Sequence, residues 1–103
     1  MYMTTLPLSV QGSSSTLGVT TVSGSTSLPT GSPGFQVELN NIGNTTIYVQ
    51  WGKGAQTAAV ATSYPVQAGH AKVVTVPFSA DTIAAIHSGT GTQNLIITPV
   101  VGS

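Results

Sequence analysis

Arginine and cysteine are missing from this chain, and charge of either sign is scarce: among 103 residues the ionised side chains are Glu38, Lys53, Lys72 and Asp81. An ordinary soluble domain is about a quarter charged, so this surface lacks the usual means of holding neighbours apart. The missing cysteine excludes a disulfide scaffold and a thiolate metal site. Two lysines without arginine offer little to phosphates, whose binding draws most of its affinity from those side chains, so nucleic acid is not an expected partner. Long apolar runs are missing too. No stretch approaches the ~18 consecutive apolar residues of a membrane span. From Met1 to Val10 there is no positive n-region, and Leu6, Leu8 and Val10 alternate with polar residues or Pro7 instead of forming the apolar stretch of a signal peptide. No membrane partner is expected.

What replaces the charge is Ser, Thr, Gly, Asn and Gln, and a net charge of zero favours association. The composition divides the chain in two. Residues 1–34 are rich in Ser, Thr and Gly and are interrupted by Pro7, Pro29 and Pro33, the composition of an extended segment. Leu6, Leu8, Val10, Leu17, Val19, Val22 and Leu28 are spaced too sparsely for a helix face. The expectation is an extended arm whose apolar side chains are covered by a neighbouring protein, each contributing roughly 1.5–3 kcal/mol when fully buried.

Residues 35–103 carry short alternating runs. Phe35, Val37 and Leu39 share one face of a strand; Asn40, Asn41, Gly43 and Asn44 mark a turn; then Ile47, Val49 and Trp51 face one way and Tyr48 and Gln50 the other. That pattern predicts a hairpin. Residues 55–62 read as a loop or weak strand, and Tyr64-Pro65 with Ala68-Gly69 as a turn. Further strands are expected at Lys72 to Phe78, Ile83 to His87 and Leu95 to Thr98. Short strands with turn signals between them predict an all-β fold, a small antiparallel β-sandwich or barrel over 35–103 preceded by the arm. A core of ~70 residues rarely supplies more than about 3–5 kcal/mol, which argues for oligomerisation or docking on a larger body. Only Lys53 and Lys72 are available to guard sheet edges against pairing.

Catalysis would have to be assembled from Glu38, Asp81, His70 and His87 with a hydroxyl side chain. Glu38 takes the outward position of its strand, and Asp81 sits in a turn where bonding to backbone is the ordinary role. His70 lies in a turn and His87 ends an apolar strand, neither with a ligand-spaced partner. The glycine pairs Gly52/Gly54 and Gly89/Gly91 lack the helix a phosphate loop needs and fit hairpin turns. No catalytic, metal or cofactor residues are therefore assigned, and the chain is not expected to be an enzyme. Trp51, Tyr48 and Tyr64 would suit a sugar site, but Tyr48 and Trp51 lie on opposite faces of one strand, and core or interface packing is the expected role of Trp51.

Asn41-x-Gly43, Ile47-Tyr48-Val49-Gln50-Trp51-Gly52, Tyr64-Pro65-Val66-x-Ala68-Gly69, Val74-Thr75-Val76-Pro77, Ile83-Ala84-Ala85-Ile86 and Leu95-Ile96-Ile97-Thr98-Pro99 follow one another in a layout that resembles the small β-sandwich structural proteins of tailed-bacteriophage virions. The resemblance covers residues 35–103 and rests on turns and core positions, not on chemical motifs. It implies a non-enzymatic virion component: a capsid decoration or cement protein at the capsid surface, with the major capsid protein or other virion proteins as partners and a homo-oligomeric state. A place in the head-tail connector, tail or fibre attachment, or a receptor- or glycan-binding module, are the alternatives it leaves open.

Overall fold

The computed structural model describes residues 9–28, 36–77 and 79–101. Nine strands and no helix occur among them: β1 (Ser9–Val10), β2 (Ser15–Val19), β3 (Gly24–Ser27), β4 (Gln36–Asn41), β5 (Ile47–Gly52), β6 (Tyr64–Val66), β7 (Ala71–Thr75), β8 (Thr82–His87) and β9 (Gln93–Val101). Alternation sets the inward faces. Leu17 and Val19 of β2, Val37 and Leu39 of β4, Ile47 and Val49 of β5, Ile83 and Ala85 of β8, and Leu95 and Ile97 of β9 are buried together in one core. Their neighbours Thr16, Gly18, Glu38, Gln50 and Asn94 face outward.

The strands form two packed antiparallel sheets, one ordered β1-β9-β4-β7 with β2 also on β9, the other β3-β8-β5-β6. β1 and β2 lie in line along the same edge of β9: Val10 pairs with Val100 and Ser15 with Ile97, so residues 11–14 face only Thr98 and Pro99. This is a bulge, pinned by Gln11 N–H donating to Pro99 O at 2.8 Å and by a 2.6 Å bond between the Ser14 and Thr98 hydroxyls. The remaining pairings are nested. β5 pairs with β6, β4 with β7, β3 with β8 and β2 with β9, each pair enclosing the one before it in sequence. Eight strands rolled up in this way are a jelly roll.

Two expectations are corrected here. β4 and β5 do not form a hairpin: β4 pairs with β7 and β9, β5 with β6 and β8, and residues 42–46 carry the chain from one sheet to the other. Residues 9–28 are not an arm outside the sandwich. β2 completes one sheet beside β9 and β3 the other beside β8, which would both otherwise be exposed edges. Leu17, Val19 and Leu28 are accordingly buried in the chain's own core.

The segment between β5 and β6 folds back over the outer face of the second sheet. Ala58 N–H donates to Ser23 Oγ at 2.9 Å, on the far edge of that sheet, and Ala58 and the outward Ala84 are both buried. Gly52 makes room for it, since a Cβ there would come within 3.0 Å of the Gln56 side chain.

Candidate functional site

The loops 20–23, 42–46, 67–70 and 88–92 share one end of the sandwich; three buried polar side chains tie down 42–46 and 88–92, and backbone bonds of Asn41 and His87 hold 67–70 and 20–23. Asn41 Nδ2 donates to Thr45 O and Val66 O, both at 2.8 Å, while Asn41 Oδ1 accepts from Gly43 N–H at 2.9 Å. Its backbone N–H donates to His70 O, and its carbonyl accepts from Gly69 N–H, each at 3.0 Å. Gly69 holds φ +72, the left-handed conformation that this turn needs and that side chains resist. Gln93 Oε1 accepts from Asn44 N–H at 2.8 Å and its Nε2 donates to Thr90 O at 3.1 Å. His87 Nδ1 accepts from Gly89 N–H at 3.0 Å, which leaves Nε2–H to donate to Gly91 O at 2.7 Å. Each side chain is at most 9% exposed and each hydrogen-bonds to the loops around it. This is a structural clamp.

The titratable residues singled out in the sequence are not brought together. His87 is inside that end, while His70 is exposed beside it, with Nδ1 3.0 Å from Ala68 O. Glu38 is on the outer face of the first sheet between Thr98 and Val73. Asp81 lies at the opposite end, where its Oδ1 accepts from Gly54 N–H and from Thr82 Oγ1, both at 2.9 Å. The Gly54 amide, the Thr82 hydroxyl and the nearby Lys53 ammonium hold the Asp81 carboxyl below its ordinary range. Among the described residues no three His, Asp or Glu side chains gather as a metal site would require.

At that opposite end the structure shows a groove absent from the sequence reading. β6 runs beside β5 only from Ile47 to Val49, whereas β8 follows β5 as far as Gly52. Where β6 diverges, a groove of about 370 Å³ opens, lined by Val49, Gln50, Trp51, Thr62, Ser63 and Tyr64. Pairing of Val49 with Tyr64 puts Tyr64 on the face that carries Trp51. The two rings meet edge to face, 5.9 Å between centroids at 71°. Lys72, on the inward face of the edge strand β7, places Nζ 5.3 Å from the Tyr64 ring centroid, where the ammonium meets the ring's negative face. An inward-pointing lysine also guards that edge against pairing.

Of the expected partner-contact residues, Leu6 and Leu8 lie outside the described residues. Val10 and Val22 are exposed, at 63% and 73%, whereas Leu17, Val19 and Leu28 are occupied by the core. Alternation along β5 located Trp51; the position of Tyr64 depends on a strand pairing no local pattern announces. No protein family, curated protein or solved structure matches this chain.

Proposed function

We propose that this chain is a non-enzymatic structural protein of a tailed-bacteriophage virion, a decoration or cement protein docked on the capsid surface and in contact with the major capsid protein. One observation carries the reading: the four ionised side chains leave whole regions of the jelly roll without charge. Lys53 and Asp81 sit at one end, and Glu38 and Lys72 belong to the β1-β9-β4-β7 sheet. The Asn41 end and residues 54–63 over the other sheet carry no ionised side chain, and they expose Val22, Ile42 and Val60. Depletion of charge with scattered apolar contacts is the composition of interface cores. Jelly rolls serve in capsids among other settings, and the fold alone assigns none of them.

The test is made in cells carrying the genome that encodes the chain. The protein is expected to copurify with full particles at a fixed ratio to the major capsid protein and to raise the temperature at which heads release DNA. Complete particles without it would overturn the reading. Deleting residues 2–8 tests the contacts expected of Leu6 and Leu8 while keeping every described strand, and release from particles is the expected result. Deleting 2–33 instead removes β2 and β3, so loss of folding is expected before any loss of docking.

A further inference from the structure

We infer that the groove beside Trp51 and Tyr64 binds a neutral saccharide. The first ground is what its polar groups leave undone. The Gln50 amide, the Trp51 indole N–H and the hydroxyls of Thr62 and Tyr64 have no hydrogen-bond partner among the described residues, and Ser63 Oγ accepts from Ala59 N–H at 2.9 Å with its own proton unused. Trp51 is half-buried and Tyr64 exposed, so the indole N–H and the phenol hydroxyl are both within reach of a ligand arriving from solvent. Among the described residues, loop side chains such as Asn44, Gln67 and Thr92 also lack a partner; in the groove such groups line one concavity beside two aromatic rings.

The second ground is the backbone. In an antiparallel strand successive residues direct N–H and C=O to opposite sides. β5 has a ladder partner on its β8 side through Gly52 but none on its β6 side past Val49. Whichever of Gln50 and Trp51 faces away from β8 therefore presents both a donor and an acceptor into the groove. Aromatic surface at the base, amide and hydroxyl groups around it and a free N–H and C=O pair match a sugar ring, which offers C–H faces and hydroxyls that both donate and accept.

The third ground is charge. No ionised side chain lines the groove, and the Lys72 ammonium is held over the Tyr64 ring. An acidic sugar would find no counter-ion, whereas a neutral one needs none. The volume is at the small end of ligand sites, which run from about 300 to 1,000 Å³, and suits a short saccharide. The assignment stands apart from the virion reading, since a particle-bound protein without sugar affinity and a sugar binder absent from particles are separable results.

Trp51 is the single tryptophan of the chain, so its emission reports on the groove alone. Maltotetraose, cellotetraose and the trimer of N-acetylglucosamine are titrated into the full chain, with sialyllactose as the acidic comparison. A saturable shift with at least one neutral probe is expected. Tyr64→Ala and Gln50→Ala are expected to weaken it tenfold or more, Gln50→Ala with unchanged melting, and Glu38→Gln on the other sheet to leave it intact. Gln50 is exposed, so Gln50→Ala keeps the test open if Tyr64→Ala misfolds. Unmoved emission with every neutral probe, binding of sialyllactose alone, or variants that bind as the parent does would each overturn the assignment.

Discussion

The two ends of the sandwich handle polar groups in opposite ways. At the Asn41 end the loops close on buried residues: Asn41, His87 and Gln93, through side chain and backbone, bond to the 20–23, 42–46, 67–70 and 88–92 loops and to β6. At the Lys53 end the chain makes a long excursion between β5 and β6, and the strands part before their bonds are complete. A fold with almost no charged side chains has amides, hydroxyls and imidazole with which to settle its corners. Buried, such groups must all be matched, because each orphan costs about 1–3 kcal/mol. Left unmatched at a concave surface, they are available to something else.

The largest effect expected from breaking this contrast is at Asn41. Asn41→Ala removes two donors and strands the carbonyls of Thr45 and Val66 in the interior, so a loss of about 3–5 kcal/mol is expected in urea unfolding. A loss under about 1 kcal/mol would mean that water reaches those carbonyls and that the corner is not closed. A sharper comparison applies one substitution to one residue type at the two ends. Gln93→Ala removes bonds to Asn44 and Thr90 at a buried site and is expected to cost about 2 kcal/mol. Gln50→Ala, at an exposed site without partners, is expected to stay within about 0.5 kcal/mol. Equal losses would erase the distinction between the ends.

The sequence shows one side of this contrast better than the other. Alternation of Val37 with Leu39 and of Ile47 with Val49 and Trp51 gave the inward faces correctly, and Glu38 is outward as the period of two requires. Pairing partners are not written in a local period, so adjacent strands β4 and β5 read as a hairpin although they belong to different sheets. β3 is Gly-Ser-Thr-Ser, with no apolar residue; it is a strand because Ala84 and Ala85 of β8 offer backbone to pair with, and composition alone reads it as linker. With β2 and β3 included, the core is larger than 35–103 could build, and the argument for oligomerisation from a ~70-residue core weakens. Asn41 was legible as a turn residue, but its reach to Val66 was not. The groove was the least legible, because Tyr64-Pro65 reads as a turn while the backbone makes it an edge strand, where proline is tolerated.

The smallest effect belongs to the corner of the Lys53 end that is closed by charge. Asp81 N–H donates to Gly52 O and its carbonyl accepts from Leu28 N–H, while the carboxylate takes the Gly54 amide and the Thr82 hydroxyl. Those bonds, with Lys53 nearby, lower the folded-state pKa below the ordinary 3.8. A lowered carboxylate pKa stabilises the fold above the unfolded value and loses that contribution as pH falls through the folded one. Asp81→Asn keeps the shape and an acceptor but removes the charge. The parent is expected to melt slightly above the variant at pH 7, by a margin that shrinks with added salt because the carboxylate is exposed. Below pH 3.8 the margin should narrow and then close. A margin that widens on acidification would mean the carboxylate is bonded more strongly in the unfolded chain than in the turn. The single charged corner would then oppose the fold, and the Lys53 end would owe its closure to the backbone bonds of Asp81 alone.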